Sequence, residues 1–158
     1  MSTVLRLHRL NSAFEGMLQD WGGSLLLLFL RLYVGWVFFK SGLVKVSNWQ
    51  GTLALFHDEY KVPLLPPDVA AYMGAAGELG FSLLLFGGLL SRPAALGLFA
   101  VNAVAVISYP QLFEFDCPAA IHQHFFWGAC LLVLAVFGGG RFSIDAILAY
   151  ASSKLARR

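Results

Sequence analysis

Long apolar runs separated by short polar breaks are the dominant pattern of this chain. Four of the runs approach the roughly 20 residues that an α-helix needs to cross about 30 Å of hydrocarbon. They predict membrane-spanning helices at 22–46, 69–90, 93–113 and 121–140. A fifth segment, 143–156, repeats apolar residues at helical spacing and ends in basic residues, which is typical of a helix lying on the membrane surface.

Proline, glycine and capping residues mark where these helices begin and end. Asp68, after two prolines, is predicted to be the N-cap of the second span, and Pro93 to be the first helical residue of the third. Ser143, after three glycines, is predicted to cap the surface helix. The pattern therefore predicts an all-α, integral membrane, antiparallel four-helix bundle with a C-terminal amphipathic interfacial helix, in one domain covering 1–158.

Composition and charge agree with a membrane protein. The chain is 58% hydrophobic and 13% charged, whereas soluble domains carry about 25% charged residues. A net charge of +2 is too small to indicate nucleic-acid binding, so the expected partner is the lipid bilayer. The two cysteines form no CxxC pair, which argues against a dithiol motif or a zinc ribbon. The N-terminal segment has no short apolar core with a cleavage site, and we expect it to be retained.

The distribution of Lys and Arg predicts the orientation. With an even number of spans both termini lie on one side, and most of the basic residues outside the spans fall there. They are Arg6, Arg9, Arg92, Arg141, Lys154, Arg157 and Arg158. The other side holds Lys45 and Lys61, with Lys40 near the end of its helix. The positive-inside rule then places both termini in the cytoplasm of a bacterial-type inner membrane.

Two charged residues lie in the middle of apolar runs, Arg31 in the first span and Glu78 in the second. A charge at the bilayer centre costs roughly 2.5–3.5 kcal/mol on insertion scales and needs a partner or a purpose. Counted from the helix ends, Arg31 lies about 12 Å and Glu78 about 18 Å from the same side, so we predict that they form a buried pair. Such a pair is either a static link between two helices or part of a functional site.

A second polar group lies near the start of the fourth span. Cys117, His122 and His124, with Glu114 and Asp116, could bind copper or a similar metal. The alternative is that the histidines are interfacial residues beside an aromatic belt.

Two residues of the third and fourth spans are predicted to face inward. His124 shares a helix face with Trp127, which favours an inward role for both. Asn102 in the third span is predicted to hydrogen-bond between helices or to line a ligand site.

Four segments together resemble the DoxX family of four-helix membrane proteins. They are RLYVGWVFFKSGLVKV at 31–46, GAAGELGFSLLLFGGLLSRPAALGL at 74–98, HQHFFWG at 122–128 and GGGRFSIDAIL at 138–148. The resemblance implies four transmembrane helices and association with redox systems. The family's namesake relative is the small membrane part of a thiosulfate:quinone oxidoreductase, and other members accompany oxidative-stress or metal-handling, peptide-modifying systems.

By the same resemblance, the positions that match the family's polar core are Arg31, Gly35, Gly42, Lys45 and Glu78. The first hypothesis is therefore a membrane subunit of a redox system that binds quinone and couples a soluble partner to the quinone pool. Arg31 and Lys45 would bond the quinone oxygens, and Glu78 would exchange protons, with Arg31 assisting catalysis. Asn102, His124 and Trp127 would complete the cofactor site.

Other functions are open at this point. The chain contains no flavin motif, haem motif or sulfur-oxidising domain, so whether it is itself an enzyme is left open. The second hypothesis is a non-catalytic membrane scaffold or accessory protein of a copper-handling or oxidative-stress system, for which the group around Cys117 is the discriminating feature. A small transporter is the third, and self-association into a homo-oligomer is compatible with each.

Overall fold

Six helices make up the part of the chain that the structure describes. The computed structural model describes residues 8, 11, 12, 14–113 and 119–157, and within these the regular structure is entirely helical. The helices are α1 (Gly23–Ser47), α2 (Trp49–Asp58), α3 (Pro67–Gly87), α4 (Ser91–Ser108), α5 (Ala119–Phe137) and α6 (Ile144–Leu155). A π-helical turn, Leu18–Gly22, runs directly into α1, and a 3-10 turn, Pro110–Phe113, follows α4.

Helices α1, α3, α4 and α5 are long and apolar enough to cross a membrane, which confirms the four predicted spans. The first span is longer than predicted, because helix extends from Phe14 to Ser47 over 34 residues. Large apolar side chains such as Phe29, Trp36 and Val136 point outward and are more than half exposed. Lipid solvates such side chains, so the protein is a multi-pass membrane protein whose surroundings are the bilayer.

The four spans form an antiparallel bundle. Helix α1 packs on α3, α3 on α4, α4 on α5, and α5 closes the bundle against α1. The core between them is formed by Val34, Phe38, Leu85, Ala94, Ala95, Leu98, Cys130, Leu131 and Leu134. We call the end where α1 and α4 begin the terminal side, and the opposite end the far side. Helix α2 packs on the far-side end of α3 through Phe56, Ala70 and Ala71.

Two predicted helix starts are wrong. Helix α3 begins at Pro67, because Pro66 is extended and Pro67 supplies the preset φ of a first helical residue, so Asp68 lies inside the first turn and is not the N-cap. Helix α4 begins at Ser91, two residues before Pro93. Proline is still tolerated there, because the first four N–H groups of a helix have no intrahelical partner.

The predicted cap of the C-terminal helix is confirmed. Ser143 Oγ accepts a hydrogen bond of 3.2 Å from the Ala146 N–H at the start of α6. The apolar side chains of Ile147, Leu148 and Leu155 are exposed along α6. Such a surface suits the predicted position of this helix at the membrane interface.

Candidate functional site

Glu78 is buried between α1 and α3 and is paired with a lysine. Lys45 Nζ lies 2.8 Å from both carboxylate oxygens of Glu78. The same ammonium group donates to Ser41 Oγ at 3.0 Å, and Ser41 Oγ donates to Glu78 Oε1 at 3.2 Å. Ser41 and Lys45 are four residues apart on α1 and therefore lie on one face. Glu78 is only 6% exposed. The hydrogen bonds of this network compensate the buried charge of its carboxylate inside the span.

Gly42 brings the two helices close enough for this network to form. A Cβ atom at Gly42 would lie 3.2 Å from Glu78 Cβ and 2.7 Å from Leu79 Cγ. The absence of a side chain at Gly42 thus lets the backbones of α1 and α3 approach, as small residues do at helix contacts in lipid. Gly42 positions the pair and is not among the residues that line the cavity beside Glu78.

The prediction that Arg31 pairs with Glu78 is wrong. Arg31 is fully buried, but its Nη2 donates to the backbone oxygen of Phe142 at 2.6 Å, and its guanidinium packs against Gly88. Gly88 follows Glu78 by ten residues, or about 15 Å along a helix. The prediction failed because it set the terminal-side ends of α1 and α3 at one level, whereas helix continues back to Phe14 and places Arg31 beside Gly88, just after the end of α3. Lys45, on the same face of α1 as Arg31, is level with Glu78 instead.

Arg31 belongs to a separate polar cluster on the terminal side. Its Nε and Nη1 atoms have no hydrogen-bond partner. Nearby, Asp145 accepts bonds of 2.8 Å from the backbone N–H groups of Leu90 and Ser91 and one of 2.7 Å from Ser91 Oγ. Asp145 thereby caps α4 from the last helix of the chain. This cluster links α1, the end of α3, α4 and α6, and it lies apart from Glu78.

Asp145 was missed by the sequence analysis, although a signal was present. The turn before α4 offers no capping side chain, since its N-cap position is Leu90, and orphan N–H groups need acceptors. Partial burial acts to raise the pKa of Asp145, but the bonds from Ser91 and Leu90 and the charge of Arg31 outweigh it, and the pKa lies below its ordinary value of 3.8.

A cavity of about 720 Å³ opens beside Glu78 between the spans. Four of the eight predicted cofactor-site residues line it, namely Lys45, Glu78, His124 and Trp127. Four others do not, namely Arg31, Gly35, Gly42 and Asn102. Gly35 packs against the ring of Phe86. Polar lining residues that the sequence analysis missed are Ser41, Tyr60, Ser108 and Tyr109.

The α5 wall of the cavity carries His124, which is held by Asn102 of α4. His124 Nδ1 lies 2.8 Å from Asn102 Oδ1, and Asn102 Nδ2 donates to the backbone oxygen of His124 at 3.0 Å. The ring of Trp127 meets the imidazole edge-on, with ring centroids 5.0 Å apart. The predicted interhelical role of Asn102 is confirmed, and its partner is a residue of the cavity wall.

The far-side end of the cavity carries hydroxyl groups. The rings of Tyr60 and Tyr109 are perpendicular, with centroids 5.3 Å apart, and the Ser108 hydroxyl is buried without a hydrogen-bond partner. Burial, followed by the neighbouring Tyr109, Glu59 and Glu78, raises the pKa of Tyr60 above its ordinary value of 10.0. The Tyr60 phenol therefore stays protonated and can donate a hydrogen bond at neutral pH.

The predicted metal site is only partly described. Cys117, Glu114 and Asp116 lie outside the described residues. The His122 side chain is exposed, whereas His124 faces the cavity. Within the described residues, no group of three or more His, Cys, Asp or Glu side chains is placed to hold a metal ion. Copper binding by Cys117, His122 and His124 stays a prediction.

Comparison with known proteins finds a matching family model and a relative. The DoxX family model matches residues 26–111. An uncharacterized protein of Haemophilus influenzae is 32% identical over 134 residues, which is 83% of this chain and 88% of that protein. No solved structure matches the chain. The family match includes Lys45, Glu78 and Asn102 but ends before His124.

Proposed function

Because the chain belongs to the DoxX family of membrane proteins, we propose that it is a membrane subunit of a redox system that binds quinone. The quinone head group would occupy the cavity beside Glu78, and the subunit would couple a soluble electron-carrying partner to the quinone pool. The protein's own residues would supply binding, orientation and proton exchange, and the electrons would pass between the ligand and the partner.

The observation that carries this proposal is the cavity itself. It is about 720 Å³ in volume, lies among helices that span the membrane, and combines apolar walls with a few polar groups. Small-molecule sites commonly have volumes of 300–1,000 Å³ and this same pattern of lining. A quinone is a flat apolar ring with two oxygens and is dissolved in the bilayer. Both its shape and its location therefore suit a cavity that polar side chains line on two walls.

The polar groups can take part in quinone chemistry through protons. Interconversion of quinone and quinol transfers two electrons and two protons, one proton for each ring oxygen. Glu78 is the cavity's carboxylate, and its bonds to Lys45 and Ser41 stabilise its ionised form. A proton arriving at Glu78 or leaving it can be exchanged with a ligand oxygen in the cavity. Arg31, which we expected to bond the quinone, is absent from the cavity lining and is assigned no part in this chemistry.

The test is a conservative change of the carboxylate. Glu78→Gln keeps the shape and much of the hydrogen bonding but removes the titrating group. We expect quinone-linked electron transfer to fall about 10²-fold or more, which is the usual scale for loss of a general acid–base group. The assay follows the redox state of the quinone pool, in both directions, in membranes of a strain lacking this chain, supplied with the variant and with soluble extract.

The matched control is Glu15→Gln, the same change at an exposed carboxylate far from the cavity. It should leave turnover unchanged. If Glu78→Gln at equal protein level also leaves turnover unchanged, Glu78 is not a proton-exchanging group, and a non-catalytic scaffold becomes the better description.

A further inference from the structure

The hydrogen bonds of Asn102 determine which nitrogen of His124 carries the proton. The backbone oxygen of His124 can only accept, so the Asn102 atom facing it at 3.0 Å must be the Nδ2 donor. Asn102 Oδ1, an acceptor, is therefore the atom that lies 2.8 Å from His124 Nδ1. Nδ1 must then hold the hydrogen. In the neutral ring this leaves Nε2 without a proton and available as an acceptor.

The opposite wall of the cavity also offers acceptors and no spare donor. The ammonium group of Lys45 has three hydrogens, and Glu78 Oε1, Glu78 Oε2 and Ser41 Oγ take one each. The single hydroxyl hydrogen of Ser41 is engaged by Glu78. What this wall can offer a ligand is therefore the remaining lone pairs of the Glu78 carboxylate. The hydroxyl groups of Tyr60, Ser108 and Tyr109 can donate or accept, and they do not discriminate between ligands. The indole N–H of Trp127, which also lines the cavity, is a donor only.

We propose that the cavity selects the hydroxyl-bearing form of its ligand, a quinol or related phenol, over the carbonyl form, with Asn102 as the residue that positions His124 to accept. A quinol donates from two hydroxyl groups, and the cavity presents an acceptor on each wall, His124 Nε2 on α5 and Glu78 on α3. A quinone has only acceptors and would face the lone pairs of these groups. This inference rests on the proposed function and adds a preference for the reduced ligand.

The test compares three ligands that share one ring and one tail. Purified protein in lipid nanodiscs is titrated anaerobically with 2-decyl-1,4-hydroquinone, its dimethyl ether and 2-decyl-1,4-benzoquinone. We expect the hydroquinone to bind at least about 10-fold more tightly than either of the others, because a hydrogen bond to a buried acceptor is worth about that factor. His124→Phe keeps a ring but removes the acceptor, and it should reduce this preference by about 10-fold.

The positioning role of Asn102 has its own readout. Nitrogen-15 NMR of histidine-labelled protein distinguishes the two neutral tautomers, and comparison with His124→Phe assigns the signal among the four histidines of the chain. We expect His124 to carry its proton on Nδ1 in the native protein and to show mixed tautomers in Asn102→Leu. A merely structural asparagine would leave the tautomer unchanged when replaced.

The outcomes separate this inference from the proposed function. Tighter binding of the hydroquinone, together with a proton on Nδ1, supports it. Equal binding of all three ligands, tighter binding of the quinone, or a proton on Nε2 overturns the inference and leaves a quinone site intact. Failure of all three ligands to bind overturns the proposed function itself. The ligand comparison uses the native protein, so it decides the question even if a variant fails to fold.

Discussion

Three charged side chains are withdrawn from solvent in different ways. Glu78 is satisfied by a lysine and a serine on the facing helix. Asp145 is satisfied mainly by N–H groups at the start of α4. Arg31 bonds only one backbone oxygen, and its remaining charge faces Asp145. The two acids therefore differ in what their loss would do, since one lines a cavity and the other holds two helices together.

Asp145→Asn should lower stability in a pH-dependent way. The pKa of Asp145 is depressed in the folded protein, so its contribution is present above the ordinary value of 3.8 and is lost as pH falls through the folded pKa. We expect the variant to lose about 1–2 kcal/mol at pH 7, the scale of a helix cap. The difference from the native protein should shrink below pH 3.8.

Thermal unfolding in detergent between pH 7 and pH 2 measures this difference. Asp58→Asn, the same change at an exposed carboxylate, should have little effect at any pH. A loss for Asp145→Asn that is constant over the whole range would contradict a role for the ionised carboxylate.

Among the helix contacts, that of α1 with α3 matters most for the cavity. Its closest point is Gly42, where a methyl group would meet Leu79 and Glu78. Axial position matters as much as closeness, because one residue changes the level of a side chain by about 1.5 Å. Lys45 reaches Glu78 only in the observed register of these two helices.

Gly42→Ala should therefore destabilise the bundle and separate Lys45 from Glu78. Overpacking at a close contact costs about 1–3 kcal/mol. Gly80→Ala on α3 is the matched control, because a Cβ atom there would meet nothing within 4 Å; it should be neutral or stabilising by up to about 1 kcal/mol. Thermal unfolding of both variants in the same detergent provides the comparison. Equal effects would show that the contact at Gly42 accommodates a methyl group without strain.

At the scale of the whole molecule, hydrogen bonds on the terminal side join α1 to the segment that precedes α6. Arg141 N–H donates to Ser24 Oγ at 3.3 Å, and Arg31 donates to Phe142 O. The cavity, with Tyr60 and His124, opens near the other end. The excess of Lys and Arg on the terminal side predicts that this side is cytoplasmic, which would place the cavity toward the outer half of the membrane.

Cysteine labelling tests this orientation. In a Cys117→Ser background, Leu64→Cys lies in a fully exposed far-side loop and Ser153→Cys lies on the exposed terminal-side helix. A membrane-impermeant maleimide should label Leu64→Cys in intact cells and Ser153→Cys only after permeabilisation. The native Cys130 is buried and should stay unlabelled in both. The reverse labelling pattern would show that the orientation in the membrane is opposite to the predicted one.

The sequence by itself determined the class of the protein and its helices, and the tertiary structure decided the partners of its polar residues. Four spans and the Ser143 cap could be predicted because apolar length and capping depend on residues close together in the chain. The partners of Arg31, Lys45 and Asp145 could not, since Glu78–Lys45 and Asp145–Ser91 are separated by 33 and 54 residues. Such pairs depend on the axial offset and rotation of packed helices. The offset between α1 and α3 places Arg31 at Gly88, ten residues or about 15 Å along the helix from Glu78, and no local pattern in the sequence specifies that offset.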